Sequence, residues 1–465
     1  MFRKFLKKPE TNQKTHHRIH NISVLIILGY IIMIMVGTIL LCLPIARHDH
    51  QALFLDSLFT STSAVSVTGL TLSDTAATYS WFGETVILLL MEIGGLGYMT
   101  LAVTMFILMG KNIGIQEKIQ FREAQGVTKF SGMKELAKNM VRYALIIEAC
   151  GIGALWLIFY LDPNIEGIRC LYMAIFHSVS AFCNAGFDLF GNMFYPDCGL
   201  APLNTNYFCL ITLAILSILG SFGYIAFKDL FLPEQKRKRS TQTKIVFTTT
   251  VSLLAIGTLI FFFAEKNYTM TDMNFWQRLL NSFYLSATSR STGMGNVNVG
   301  EMGIVAYWLL FLLEIIGGSP SGTGGGIKTT TFAILVASVK STLKKQNDTE
   351  MFGRKIHHKY INRAVSIIFM YVFVGLIAII IIGFTEPNFI PNSEDSLRLQ
   401  FDIFSALTTS GFSNGIHRSF SNTGLYVFIM LMFIGRVGTL TFFNMLIWNN
   451  RKILRKYPED DITVG

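Results

Sequence analysis

The feature that most constrains this chain is a set of long apolar segments without a single charged residue. Three of them cover residues 22–45, 245–264 and 364–384. A helix needs about 20 consecutive apolar residues to cross the hydrocarbon core of a bilayer. Charged residues make up 15% of the 465 residues, against about 25% in a typical soluble domain. The sequence therefore predicts an all-α membrane protein, surrounded by lipid and crossing the membrane many times.

The distribution of Lys and Arg predicts how these segments are oriented. Hydropathy predicts eight crossings, at about residues 22–46, 82–109, 138–160, 206–230, 243–264, 303–338, 361–384 and 424–449. Lys and Arg are concentrated in the two tails, residues 1–21 and 451–465, and after the second, fourth and sixth crossings. Cytoplasmic loops have an excess of these residues, so we expect both termini to be cytoplasmic. The same rule explains the net charge of +10 without a nucleic-acid partner. For the basic runs 236–239 and 340–345, a docking role for a protein partner stays an alternative.

Four connections on the opposite side contain a repeated motif. Each motif begins with Phe, has a glycine ten residues later, and continues with a large apolar residue. The motifs are residues 59–70, 176–187, 283–294 and 401–412. They recur about every 110 residues, and a fixed internal period indicates a repeat architecture. We predict four repeats, each made of a first span, a short half-buried helix and a second span. Their bounds are 22–109, 138–230, 243–340 and 361–450.

The glycine motifs predict a pore on one pseudo-fourfold axis. Non-helical backbone is tolerated at membrane depth only where it is buried in protein or lines a wet cavity. There its carbonyl groups can replace the water shell of a cation, as in potassium-channel filters. The alternative is that each glycine only permits close helix packing, but four glycines in register favour the pore. The candidate filter residues are Val67, Thr68, Gly69, Asn184, Ala185, Gly186, Ser291, Thr292, Gly293, Thr409, Ser410 and Gly411.

The sixth span predicts an interruption in the membrane. A continuous helix over residues 303–338 would be about 54 Å long, whereas the hydrocarbon core is about 30 Å thick. Its middle is rich in glycine and contains proline, the two poorest helix formers. The other second spans keep a shorter echo, at 94–97, 220–223 and 435–438. A P-loop is excluded because Ile327 separates Gly326 from Lys328, where that motif needs them adjacent. The candidate gate residues are Gly317, Gly318, Ser319, Pro320, Ser321, Gly322, Thr323, Gly324, Gly325 and Gly326.

The pattern of span, short helix, glycine and span resembles the superfamily of potassium transporters that includes the Trk, Ktr and plant HKT proteins. The resemblance covers residues from about 22 to 450, and Ktr-type membrane subunits are the nearest match, since Trk-type subunits have an extra N-terminal hairpin. It implies potassium uptake, because a serine in place of the first glycine goes with sodium transport and this chain has Gly69. Arg290 and Met294 depart from the usual pattern in the third repeat.

The resemblance also implies an assembly and a gate. Ktr-type proteins are homodimers on a cytoplasmic ring of nucleotide-binding regulatory subunits, in the bacterial inner membrane, and an intramembrane loop in the sixth span gates ion flow. The matching arginine, Arg436, lies just below the filter and is expected to act as an electrostatic barrier that the loop carbonyls help to neutralise. A charge at membrane depth is usually functional. The alternative is an ion pair of Arg436 with Glu92 or Glu314 that serves assembly alone.

Three other functions stay open from the sequence. The same pore could pass sodium or ammonium as its main ion. A secondary transporter would place a substrate site at the broken sixth span, although such proteins more often have inverted halves and these repeats are parallel. A non-transporting scaffold would not need four filter glycines. The sequence contains no nucleophile–base constellation and no phosphate site, so we expect neither an enzyme nor a bound cofactor, with K⁺ only as transported ion.

Overall fold

The computed structural model describes residues 11–51, 53–97, 100, 103–104, 133–162, 165, 167–191, 199–231, 239–386 and 393–446. The predicted C-terminal tail, residues 451–465, lies outside these ranges. The first helix begins at Thr11, within the predicted N-terminal tail, residues 1–21, whose cytoplasmic location stays a prediction. Polar helix formers such as Gln13 and Lys14 extend this helix beyond the apolar segment.

The described residues are mainly helical, and the helices follow a similar order four times. A long helix is followed by a short buried helix and then by a second helix that stops early. A two-stranded antiparallel hairpin, β1 (Glu350–Met351) and β2 (Arg354–Lys355), separates the third and fourth repeats. The helices are α1 (Thr11–Leu41), α2 (Phe54–Ser66), α3 (Thr75–Thr78), α4 (Trp81–Leu96), α5 (Met133–Tyr160), α6 (Ile168–Cys183), α7 (Tyr207–Phe222), α8 (Tyr224–Phe231), α9 (Thr241–Ala264), α10 (Phe275–Thr288), α11 (Ile304–Ile315), α12 (Thr329–Leu343), α13 (His358–Thr385), α14 (Ser393–Thr408), α15 (Asn422–Val437) and α16 (Thr439–Leu446).

Four helices in the described part of the chain are long and apolar enough to cross a membrane. They are the first helices of the four repeats, α1, α5, α9 and α13. The pair α7 and α8 passes the same test together, with a bend of 100° between its two members. The chain is therefore a multi-pass membrane protein, while the number of eight crossings stays a prediction.

The predicted second spans over 82–109, 206–230 and 424–449 each contain a helix that stops before the end of the span. Helices α4, α7 and α15 stop at Leu96, Phe222 and Val437. The next residue in each case is a glycine with φ of +77°, +85° or +89°, a region that other residues rarely adopt. The short glycine motifs at 94–97, 220–223 and 435–438 therefore end the helices that contain them, as the longer motif does in the sixth span.

A glycine–serine contact fixes the first helix of three repeats against its short helix. Gly37, Gly151 and Gly257 leave no room for a Cβ, because the hydroxyl of a serine on the short helix lies against each of them. These serines are Ser61, Ser178 and Ser286, and each donates a hydrogen bond of 2.8–3.0 Å to a carbonyl of the first helix. In the fourth repeat the ring of Phe404 takes the place of the serine, beside Gly375.

The repeats are joined by packing that runs in one direction. The second helix of each repeat packs against the short helix of the next: α4 against α6, α7 against α10, and α11 against α14. Helix α15 of the fourth repeat packs against α2 of the first. The contacts therefore close a ring, with the ends of the short helices at its centre.

Candidate functional site

Three of the four short helices end in the same way. The residue after the helix, Val67, Asn184 or Thr409, has a left-handed conformation with φ of 57°, 60° or 53°. The following amide donates to a carbonyl five residues earlier, at 2.8–3.0 Å, which is the pattern of a Schellman motif. The third repeat differs, because α10 ends at Thr288, several residues before Gly293, and Ser291 is not left-handed.

The four predicted filter glycines form a closed ring. All have a positive φ, between +72° and +88°. A Cβ added to Gly69 or Gly186 would lie 2.5 Å from the carbonyl oxygen of the residue before the next glycine, and a Cβ on Gly293 would lie 2.6 Å from its counterpart. At Gly411 the overlap is closer still, and the oxygen belongs to Thr68, before the first glycine. The ring therefore closes in chain order, and a side chain at any of its four positions would force the neighbouring backbone to shift.

Two second helices contribute a polar side chain that contacts a filter segment. Ser217 donates to Asn184 Oδ1 at 2.9 Å, and the same oxygen accepts from Thr292 Oγ1 at 2.6 Å. Glu314 Oε2 accepts from Ser410 Oγ at 3.0 Å. Ser217 and Glu314 occupy the same place, three residues before the first glycine of their motifs. Ser217 was not singled out in the sequence, because the same position is occupied by methionine in the first and fourth repeats.

The predicted gate residues form a compact loop between α11 and α12. The loop is closed at its base by hydrogen bonds from Gly318 N to Gly325 O (3.0 Å) and from Gly317 N to Ile327 O (3.1 Å). Lys328 reaches back to Gly324 O at 2.7 Å. Glycine is required at position 317, because a Cβ on Gly317 would overlap the carbonyl oxygen of Gly325.

The loop touches three of the four filter segments at the residue two places before the glycine. Asn184 donates to Thr323 Oγ1 at 2.7 Å, and Ser291 Oγ accepts from Gly325 N at 2.9 Å. A Cβ on Gly325 would overlap the hydroxyl of Thr409. The loop therefore lies directly against the ring, on the side where the short helices end.

Arg436 connects the loop to the first repeat. Its guanidinium donates to Thr323 O at 2.7 Å, to Gly94 O, and to Gly95 O at 3.4 Å. Glu92 and Glu314, which the sequence offered as ion-pair partners, accept hydrogen bonds from Cys183 and Ser410 instead. The arginine is therefore held by backbone carbonyls of two repeats.

Arg290, one of the two departures in the third repeat, is buried behind the ring. It donates to Ser221 Oγ at 3.1 Å, while Nε and one terminal nitrogen have no partner among the described residues. The other departure, Met294, is buried, and its carbonyl accepts from Tyr284 at 3.2 Å.

One group of side chains in the described part of the chain has ligand atoms close enough to hold a metal ion. The carboxylates of Glu92 and Glu148 and the thiol of Cys183 lie within 4.8 Å of one another. Cys183 Sγ lies 3.5 Å from Glu92 Oε2 and 4.0 Å from Glu148 Oε1, so its thiol can donate to one of the two carboxyl groups at a time. Glu148 and Cys183 were not singled out in the sequence.

Comparisons with known proteins agree with this architecture. The family model described as TrkH, cation transport protein, matches residues 1–447. The chain is 34% identical to the potassium/sodium uptake protein NtpJ of Enterococcus hirae, covering 95% of this chain and 96% of that protein. It is 31% identical to the Ktr system potassium uptake protein B of Bacillus subtilis, covering 94% and 95%. The crystal structure of the potassium transporter TrkH from Vibrio parahaemolyticus superposes with a TM-score of 0.70 at 17% identity, over 93% of this chain and 85% of that one. The chain is therefore a member of the TrkH family of cation transport proteins, in the Trk and Ktr group.

Proposed function

We propose that this protein is the pore-forming subunit of a potassium uptake system and that the ion passes through the ring of four glycines. The observation that carries this proposal is the closure of the ring, with each glycine against the carbonyl group that precedes the next. Carbonyl oxygens arranged around one axis can replace the hydration shell of a cation. The C-terminal ends of α2, α6 and α14 face the same region and add partial negative charge.

Potassium is the ion that the available observations favour. Gly69 occupies the position where the resemblance associates serine with sodium, and two relatives are named for potassium uptake. Sodium is the second candidate, because the name of the Enterococcus hirae relative includes it. The parallel order of the packed repeats favours a pore over a secondary transporter with a midplane substrate site.

The loop of residues 317–326 is the proposed gate. It lies against three filter segments and would stand in the path of an ion that leaves the ring. Arg436 would hold the loop in this position and would present a positive charge to the ion path. Movement of the loop would require its hydrogen bonds with Asn184, Ser291 and Arg436 to break.

The proposed assembly follows from the charge distribution and the family. Eight crossings, with the first and last helices entering from the cytoplasm, agree with the positive-inside rule. A homodimer on a cytoplasmic ring of nucleotide-binding subunits, in a bacterial inner membrane, is the arrangement that the Ktr resemblance implies. The basic connections after the second, fourth and sixth crossings would face the cytoplasmic regulatory subunits.

Ion flux into liposomes that contain the purified protein tests the proposal. We expect a potassium gradient to drive uptake that sodium does not match, and Gly69→Ser to relax this selectivity. The control is Gly415→Ser, a glycine with φ of +76° and no atom near its Cβ position, which should retain selectivity. Equal potassium and sodium flux in the wild type would refute the assignment to potassium. No flux of either ion, even after deletion of residues 319–325 from a protein that stays folded, would refute the pore.

A further inference from the structure

A cavity of about 660 Å³ lies outside the proposed ion path, between α9, α12 and the β-hairpin. The hairpin is fixed beside α12 by Ser341, whose hydroxyl donates to Asp348 O at 2.9 Å. The two arms of the hairpin are joined at the base by Ile356, whose amide donates to Thr349 O at 2.8 Å. Met351 and Phe352 of the hairpin form part of the cavity wall. The walls of the cavity are therefore formed by α9, α12 and the β-hairpin.

The lining changes character along α12. Lys340 and Lys344 lie toward the C-terminal end of this helix, next to the hairpin, while Phe332 and Val336 lie toward its start. On α9 the lining includes the hydroxyls of Thr248, Thr249 and Ser252 and then the apolar side chains of Leu253 and Ile256. In the proposed topology the basic end is at the cytoplasmic surface and the apolar end extends into the bilayer.

The charge at the basic end is not neutralised within the chain. Neither Lys340 nor Lys344 forms an ion pair with any residue that the structure describes, whereas the nearby Lys355 pairs with Asp348 at 2.6 Å. Glu350 is the acidic side chain in the lining. The balance is two positive charges against one negative charge, and hydroxyl groups lie next to them.

We propose that this cavity binds one anionic phospholipid of the cytoplasmic leaflet. Its phosphate would lie between Lys340 and Lys344, and an acyl chain would follow Leu253, Ile256 and Phe332. Basic pockets between membrane helices on the cytoplasmic side suit acidic lipid headgroups, and lysines at helix ends extend toward that interface. The site depends on the proposed membrane orientation but not on ion conduction.

Binding at this site would act on the loop through α12. Helix α12 begins at Thr329, next to Lys328, and Thr329 N donates to Gly318 O at 3.2 Å. The lipid would hold the same helix nearly four turns further along. A bound anionic lipid therefore restrains the segment that must move if residues 317–326 are to leave the ring.

The test is thermal unfolding of the purified protein in detergent, with added phosphatidylglycerol or phosphatidylcholine. We expect phosphatidylglycerol to raise the unfolding temperature and phosphatidylcholine to leave it unchanged. Each lysine near an anionic headgroup adds roughly fivefold to the affinity, so Lys340→Gln with Lys344→Gln should weaken binding about thirtyfold. Lys340→Arg with Lys344→Arg should retain it. Lys345→Gln with Lys359→Gln, on the same surface but outside the cavity, is the matched control and should change nothing.

Further variants separate the possible occupants. Ser252→Trp fills the middle of the cavity without changing charge and should also abolish stabilisation. Equal stabilisation by inorganic phosphate would overturn the lipid assignment, because no acyl chain is then needed. Equal stabilisation of the wild type and the double Gln variant would overturn the site.

Native mass spectrometry of the double Gln variant tests whether the cavity is a contact between copies of the chain. A changed oligomeric state with lipid binding intact would identify it as such a contact and overturn the proposal. Loss of ion flux with lipid binding intact would contradict only the pore.

Discussion

Glu314 provides the sharpest test of how the ring is held in place. This carboxylate is fully buried in α11 and contacts the fourth filter segment through Ser410. The equivalent place in the first and fourth repeats is occupied by methionine, Met91 and Met432. Glu314→Met therefore introduces a residue that the fold already accepts at this register.

We expect Glu314→Met to leave the stability of the fold almost unchanged but to weaken the support of the filter ring. Removing a typical buried hydrogen bond costs about 0.5–1.5 kcal/mol. The carboxylate itself is destabilising, since Glu314 Oε1 has no partner among the described residues, and a buried unsatisfied group costs about 1–3 kcal/mol or more. The two effects nearly cancel, so the unfolding temperature should stay close to that of the wild type. The hydroxyl of Ser410, however, keeps only its contact with the Ser405 hydroxyl at 3.2 Å among the described residues, and the fourth segment loses its side-chain anchor on α11.

Selectivity is the quantity that should change. About 1.4 kcal/mol corresponds to a factor of ten, so loss of a hydrogen bond worth about 0.5–1.5 kcal/mol should lower the ratio of potassium to sodium flux about twofold to tenfold. The measurement is paired flux of the two ions in liposomes, together with thermal unfolding. Glu314→Gln keeps a carbonyl acceptor for Ser410 and should retain most of the selectivity. Met91→Leu is the control for volume change at the same register and should be neutral.

Two outcomes would refute this reasoning. If Glu314→Met kept the selectivity of the wild type, the hydrogen bond to Ser410 would not position the filter. If Glu314→Gln lost selectivity as completely as Glu314→Met, the charge rather than the hydrogen bond would be responsible. A large fall in the unfolding temperature would instead show that the carboxylate stabilises the fold.

The remaining predictions concern the loop and the packing of the helices. Arg436→Gln removes the donors to Thr323 O and Gly94 O and should raise potassium flux several-fold; flux at or below the wild-type level would contradict a restraining role. Gly151→Val forces a side chain against the Ser178 hydroxyl and should cost about 1–3 kcal/mol of stability, lowering the unfolding temperature. Gly153→Val, on the same helix with open space at its Cβ position, should have little effect, and an equal loss in both variants would show that helix propensity rather than packing is measured.

The helical class and the family were predictable from the sequence because both depend on local signals. Apolar segments without charge indicate spans whatever their neighbours are, and a glycine motif repeated four times can be aligned without knowing where it lies. The breaks after Leu96, Phe222 and Val437 were not predicted, because a glycine inside an apolar segment is compatible with a helix. What ends each helix is the positive φ of the next glycine, and the sequence does not show which of its allowed φ values a glycine adopts.

The side chains that support the ring were harder to predict than its backbone. Four glycines are required because four carbonyl groups leave no room for a Cβ, so the requirement recurs in every repeat. The contacts of Ser217 with Asn184, and of Glu314 with Ser410, each occur in one repeat and join residues that are distant in sequence. Such contacts leave no periodic signal. The repeats therefore share a backbone pattern while their polar side chains differ.

The difference between the repeats also concerns the glycine motifs at 94–97, 220–223 and 435–438. They resemble the glycine-rich loop of residues 317–326 in sequence, but none of them forms such a loop. The loop occupies the space beside the ring, and the motif of the second repeat is its main support: Gly220 and Ser221 accept hydrogen bonds from loop amides at 3.0 and 2.8 Å. A Cβ on Gly223 would lie 2.5 Å from the carbonyl of Pro320. The fourth repeat reaches the loop through Arg436, which also binds Gly94 of the first. A single axis has room for one inserted loop, so the same glycine-rich break in the other repeats has a second use. In the second repeat it keeps the backbone close and its carbonyls free to bind the loop of the third repeat, and in the first repeat its carbonyls bind Arg436.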